Sequence, residues 1–325
     1  MEEIRKEEFI KIDGGLGRCI ALTGAINKYA KSVEHKVNVV SSFPQVFNGL
    51  EELNRVYSIG MPYLYEDYIS KGSFSEPEPY NHSNYYSDFE HISSVFSKIV
   101  SGVSGFVQPE MSLTENELEE AKSFIDDMKK QEKKKVLLVQ PWGSTGGIQI
   151  ANDKGEPKVK VDETYRSLGL GFFRKLITEF EKDYVVISIQ STAHFEGKTV
   201  PQVAIKGTKV LNLPDVRKLI ALIPFVDGII ACDSFLHHAS AALQSPTPTV
   251  VLWGATSKKN LGYKEHLNLV ARENVLIEPN RIPHDHAFYV NKNKGVNEFD
   301  LKFIKEIRHN MESDEHGIKT SKNKA

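Results

Sequence analysis

The sequence has little cysteine, no long apolar run and no charge of one sign. Two cysteines in 325 residues, Cys19 and Cys232, exclude a disulfide framework and fit no zinc or redox spacing. The expectation is two reduced thiols, packed as small apolar side chains, in a cytoplasmic protein. No stretch approaches the ~18 consecutive apolar residues of a membrane span. The acidic opening MEEIRKEEF lacks the apolar segment of a secretory signal. With 41 Lys and Arg against 43 Asp and Glu, the formal net charge is −2. That gives no global pull toward nucleic acid, although Arg18, Lys28, Lys31 and Lys36 can still form a local basic groove.

What is present is an ordinary globular composition, 40% hydrophobic and 26% charged, at a length that favours two domains. Phe9 to Ile12 reads as a strand, followed by Asp13-Gly14-Gly15-Leu16-Gly17 and a helical pattern through Ile20, Ala21, Ala25 and Tyr29. Val37 to Val40 reads as the next strand. Residues 60 to 108 are rich in Tyr, Ser, Asn and Pro with weak periodicity, which predicts long loops and short helices, the place for a variable acceptor-binding region. A helix is expected from Thr114, with Thr114 and Glu117 as a capping box, Leu113 and Leu118 as a staple, and Leu118, Ala121, Phe124, Ile125 and Met128 as its apolar face. Its lysine-rich end, Lys129 to Lys135, reads as a solvated face and linker.

The pattern then restarts, and a domain boundary is expected here, between 1–132 and 133–296. Strands are expected at Val136 to Val139, Tyr184 to Ile189 and Val210-Leu211, and helices at Leu170 to Phe180 and Val216 to Ile223. Next comes VDGIIACDSFLHHASAALQSPTPTVVLWGAT. An apolar run ends at Asp233-Ser234, an Ala-rich helix follows, and a second apolar run from Val250 ends at Trp253-Gly254. Asp233 and Ser234 are placed to cap the helix, and its first amides favour an anion such as a diphosphate. A last helix is expected over 297–311 with Asn297 as cap, and a disordered polar tail over 312–325.

Three loops are therefore candidates for chemistry. Gly14, Gly15 and Gly17, with Arg18, let backbone approach a ligand, but the loop is neither GxGxxG with a following acid nor a Walker A loop. Pro141 to Gly147 carries Ser144 and Thr145 as phosphate donors, with Arg166 downstream able to meet a diphosphate bidentately. The third is Asp233-Ser234 with His238 one turn on. His284-Asp285-His286 resembles a ligand pair but offers too few donors for a metal site.

In this order the pieces resemble the heptosyltransferase-like glycosyltransferases of family 9. That family shows Asp-(Thr/Ser)-Gly-x-x-His-x-Ala-Ala-Ala, matched here by Asp233-Ser234-Phe235-Leu236-His237-His238-Ala239-Ser240-Ala241-Ala242, and then by Gly254-Ala255-Thr256. The resemblance covers residues 9–30 and 136–256 well and 45–110 poorly. It implies a GT-B fold, two Rossmann-like doubly wound domains facing a central cleft. It also implies a nucleotide-diphosphate-sugar donor held by the C-terminal domain, an acceptor held by the N-terminal one, and inverting transfer without an obligatory metal or other cofactor. The absence of an Asp-x-Asp pattern agrees with the last point.

Two positions depart from the family. The acid that ends its first loop, taken as general base, is Arg18 here, and an arginine is no base. Asp13 is the nearest replacement, with Glu66, Asp67, Asp88 and Glu90 as others. Phe235 stands where the family has Gly. Two acceptors are open, a saccharide or a hydroxymethylated pyrimidine in DNA of the kind certain bacteriophage enzymes modify. Two other classes compete with transfer: a non-catalytic nucleotide-sugar binding protein, and another enzyme on the same fold such as an epimerase.

Overall fold

The computed structural model describes residues 7–87, 90–143, 146–151, 157–160, 166–190, 192–195, 198–211, 215–271 and 298–313. They form two compact units. The first takes the chain up to Thr114 together with Ala241–Gln244, and the second takes the remainder.

The first unit runs β1 (Glu8–Ile12), α1 (Leu16–Ser32), β2 (Val37–Ser41), β3 (Arg55–Ser58), α2 (Leu64–Asp67), β4 (Ser73–Ser75), α3 (Ser83–Ser87) and α4 (Ile92–Ser101). Its sheet is parallel throughout, in the order β3-β2-β1-β4. β2 is buried along its whole length, as a central parallel strand requires. α1 buries every residue from Cys19 to Ile26, so it is enclosed on all sides there rather than only along the face of Ile20, Ala21 and Ala25 that its sequence period predicts. The segment over 60–108 does hold short helices and loops. It also supplies β4, which the sequence does not reveal because its three residues are all exposed and carry no apolar alternation.

The second unit runs α5 (Glu115–Glu132), β5 (Lys135–Gln140), β6 (Ile148–Ala151), β7 (Pro157–Lys160), α6 (Leu170–Phe180), β8 (Tyr184–Ile189), β9 (Thr192–Phe195), β10 (Lys198–Pro201), β11 (Lys209–Leu211), α7 (Val216–Ala221), β12 (Gly228–Cys232), α8 (Phe235–Ala242), β13 (Thr249–Trp253), α9 (Lys258–Leu261), β14 (Leu267–Val270) and α10 (Lys302–Glu312). Six parallel strands are ordered β11-β8-β5-β12-β13-β14. Counted within the sheet this is 3-2-1-4-5-6, the dinucleotide-fold order, and the first unit's 3-2-1-4 is its beginning. β8, β12 and β13 are buried from end to end, matching their largely apolar runs. β6–β7 and β9–β10 are antiparallel hairpins outside this sheet.

The break between units falls after Thr114, not at 132, because α5 packs on the second sheet. Its inward contacts are chiefly ionic. Arg217, nearly buried at the start of α7, takes both Glu117 oxygens at 2.6 and 2.8 Å. Lys129 bonds Asp227, whose other oxygen accepts the Val136 amide at 2.7 Å. Only Ala121 and Ile125 of the expected apolar face are buried, and Phe124 points outward. The final helix begins at Lys302 rather than at 297. Asp300 accepts the Lys302 amide, and Ile304, Ile307 and Met311 join the core. Asn297 and the tail from 314 lie outside the described residues.

Gly24 is the tightest approach in the first unit. A Cβ there would lie 1.9 Å from the Gln108 carbonyl oxygen, backbone that cannot swing away. Gly24→Ala is expected to lower stability by about 1–3 kcal/mol. Gly171→Ala, on an open face of α6, is expected to be neutral or stabilising by up to ~1 kcal/mol. Urea unfolding of both variants checks the contrast in sign.

Candidate functional site

In an open parallel sheet the ligand site lies beyond the strand ends where the order reverses. In the second sheet that point falls between β5 and β12, whose C-terminal ends are Gln140 and Cys232. Asp233 follows β12 directly, and α8 starts two residues later.

Asp233 is only 4% exposed. Burial raises its carboxyl, but the approach of His237 and the charges of Arg166, His237 and His238 outweigh that and hold it well below the usual carboxylate range. Arg166, expected from the sequence to meet a diphosphate, is close enough for its charge to act on Asp233. Ser234 donates its hydroxyl to the Cys232 carbonyl at 3.0 Å, and Asp233 is turned to His237, whose Nε2 is 3.5 Å from Asp233 Oδ1. The expected side-chain caps are thus replaced by a turn that Asp233 and Ser234 shape. The first amides of α8, which no helical carbonyl satisfies, remain the donors an anion would take.

His238 is buried, and its Nδ1 meets the Tyr263 hydroxyl at 2.7 Å. His237, which the sequence reading passed over as an unspecified position, is fully buried. It packs against the rings of His238, Trp253, Tyr263 and His266. Asp233, His237 and His238 each bring one ligand atom within 4.8 Å of the others, the one such group among the described residues.

Of the second loop, Ser144 and Thr145 lie outside the described residues, as do Asp88 and 284–286. The flanking backbone is held by side chains the sequence did not flag. Ser167 accepts the Gly143 amide at 2.8 Å, and Gln202 donates to the carbonyls of Gly143 and Gly146 at 2.7 and 3.0 Å. Both are lone polar residues with no local motif, so only the fold gives them this role.

In the first unit the order reverses between β1 and β4. Asp13 ends β1, and its Oδ1 accepts the Gly14 amide at 2.6 Å, with Gly14 at a φ of 100° that only glycine adopts easily. Asp13 is exposed. Gly15 precedes α1, and Gly17 and Arg18 lie in its first turn rather than in a loop. Arg18 is tied down: it bonds Glu78 at 2.9 Å and the Pro77 carbonyl at 3.2 Å, and stands over the Tyr80 ring. Glu78, absent from the acids named from sequence, thus reaches the switch point. Glu66 and Asp67 are exposed, and Glu90 accepts from Asn84. Lys31 and Lys36 pair with Glu52 and Glu7, so with Arg18 three of the four cations of the expected basic groove are offset by glutamates. Both cysteines are free and buried, and burial pushes the Cys19 thiol up. No described helix is long and apolar enough to cross a membrane. A cavity of about 630 Å³ lined by Lys129, Lys135, Tyr184 and Asp227 sits at the strand starts, the wrong edge for a ligand of this fold.

No family model matches the sequence, and no curated protein matches it significantly. Solved structures do share the fold. A glycosyl transferase family 9 structure from Veillonella parvula DSM 2008 is 12% identical, with a TM-score of 0.62 over 96% of this chain and 98% of that one. The dodecameric iron-containing heptosyltransferase TibC, in complex with ADP-D-beta-D-heptose, is 10% identical at TM-score 0.57, over 94% of this chain and 77% of that one. The E. coli ADP-heptose lps heptosyltransferase II is 12% identical at TM-score 0.54, over 88% and 99%. The architecture is heptosyltransferase-like, the fold of glycosyltransferase family 9.

His266 gives the site a pH signature. Burial, then the charge of His237, lowers its ring from the ordinary 6.5 to about 3; Tyr263 is its other ring neighbour. Between those values the unfolded chain binds a proton that the fold does not, so stability falls as pH drops, by up to ~1.4 kcal/mol per unit. From about pH 7.5 to about pH 5, wild type is expected to lose roughly 2 kcal/mol more than His266→Gln in urea unfolding.

Proposed function

We propose that this protein is an inverting glycosyltransferase that moves a sugar from a nucleotide-diphosphate-sugar to an acceptor hydroxyl. The observation that carries the reading is Asp233, buried with His237 3.5 Å from its carboxylate and held well below the usual carboxylate range, in part by the charge of Arg166. It sits at the switch point of a 3-2-1-4-5-6 sheet and immediately ahead of a helix. The diphosphate is assigned to the first amides of α8 and to Ser234, with Ser144 and Thr145 as further donors. Arg166 offsets charge on the departing phosphate. Asp233 is assigned to the sugar side of the donor, and His238, fixed by Tyr263, holds the turn.

In the reaction the acceptor oxygen attacks the anomeric carbon from the face opposite the diphosphate. The bond from that carbon to the phosphate oxygen breaks, and its electron pair leaves with the nucleoside diphosphate. The acceptor proton goes to a carboxylate, assigned to Asp13 at the end of β1. The N-terminal unit is assigned the acceptor. A saccharide is the acceptor we favour, because Arg18 is held by Glu78, and Lys31 and Lys36 face glutamates, which weakens the basic groove that DNA would need. Structural neighbours whose described ligand or substrate is ADP-heptose place ADP-sugars first among donors to test. The free, buried thiols agree with action in the cytoplasm.

A thermal-shift panel of nucleotide-sugars, followed by assay of nucleoside diphosphate release, tests the reading. One ADP-sugar or a related donor is expected to raise the melting temperature and to be consumed only with acceptor. Binding without release in any acceptor mixture would make the protein a non-catalytic receptor, as the tied Arg18–Glu78 pair would suit. Asp233→Asn is expected to cost about 10- to 100-fold in kcat/KM, the scale of hydrogen bonds to a charged group.

Asp13→Asn is expected to lower kcat by about 100-fold or more while donor affinity stays within a few-fold. Glu78→Gln is the comparison, and if it alone abolishes turnover the base is Glu78.

A further inference from the structure

We propose that Asp233, His237 and His238 bind one divalent transition-metal ion, Zn2+ or Fe2+, at the head of α8. His237 carries the argument. It is wholly buried, and neither ring nitrogen has a hydrogen-bond partner. Burying an unpaired polar group costs ~1–3 kcal/mol, and a leucine would fill the same aromatic surroundings without that cost. Ligation through Nε2 offsets it.

The geometry suits a metal better than a hydrogen bond. Nε2 of His237 lies 3.5 Å from Asp233 Oδ1, long for a hydrogen bond. Two ligands each about 2.0–2.1 Å from a tetrahedral zinc ion stand ~3.4 Å apart. His238 closes the group within 4.8 Å, and its Nδ1 is engaged by Tyr263. That contact fixes the ring plane, as outer-shell partners do for metal-bound histidines. Asp233 supplies the carboxylate oxygen. Two imidazoles and one carboxylate select zinc or ferrous iron over magnesium, which takes oxygen ligands. Arg166 is the competing cation near Asp233, so nitrogen donors rather than charge give the selectivity.

The absence of Asp-x-Asp from the sequence argued against a metal held by diphosphate. It says nothing of a site built on α8 by residues four and five positions apart.

The test uses the full chain without a histidine tag, stripped with EDTA and titrated with Zn2+ alone, with no donor present. Failure of the donor reading therefore cannot mimic failure here. Calorimetry is expected to give one equivalent, and Co2+ in its place is expected to give the visible absorption of a low-coordinate nitrogen and oxygen site. His237→Ala should abolish both signals, and His237→Leu, which fills the same space, should abolish them while melting in EDTA as wild type or higher. Tyr263→Phe should weaken Zn2+ by about 10-fold. The proposal is overturned if wild type binds no stoichiometric Zn2+, if His237→Ala binds it unchanged, or if Mg2+ alone occupies the site as tightly.

Discussion

A carboxylate buried just past the end of a parallel strand is the constraint around which the second unit is arranged. Asp233 follows a strand buried from end to end, and isolated there it would take up a proton. Its environment supplies the offset in layers. His237 stands on the next turn, Arg166 comes from the segment before α6, and His238 is steadied by a buried tyrosine hydroxyl. The loop after β5, on the other side of the switch point, is fixed by Ser167 and Gln202. A charge so held does not respond to solvent, which suits a group that must meet a polar ligand in the same geometry at each turnover.

Much of this arrangement is legible in the sequence because it is local. The largely apolar runs of β5, β8, β12 and β13 mark buried parallel strands, and α6 is bounded at Leu170 and Phe180 as its period predicts. Asp233 and Ser234 do fall between a buried strand and a helix, as the apolar runs on either side predict. What escaped has no periodic signal. β4 buries nothing, and β14 is four residues of which only Leu269 is buried. α5 joins the second unit through ion pairs between residues 98 and 100 positions apart, which no window of sequence can pair. His237 escaped for the opposite reason: a histidine beside a motif histidine looks like filler until the fold closes four rings around it.

The first unit carries the larger departure. Where the family keeps an acid, Arg18 stacks on Tyr80 and bonds Glu78. The exchange is coherent rather than a plain loss. The chain that brings a cation to the first turn of α1 also brings a carboxylate to it from beyond β4, next in space to the β1 end. Negative charge at this switch point is therefore retained, in Asp13 and Glu78, though on different residues. A binding-only ancestry and a relocated base leave the same fold, and they differ only in whether a proton is moved.

The central claim is that the head of α8 receives the diphosphate of the donor. Hydrogen–deuterium exchange of the amides of Ser234, Phe235 and Leu236, with and without a nucleoside diphosphate shown independently to bind, addresses it directly. The account predicts slowed exchange at these three amides, with matching protection around Gly143 and Gly147. Nucleotide binding that leaves these amides unchanged and protects another part of the molecule would contradict it.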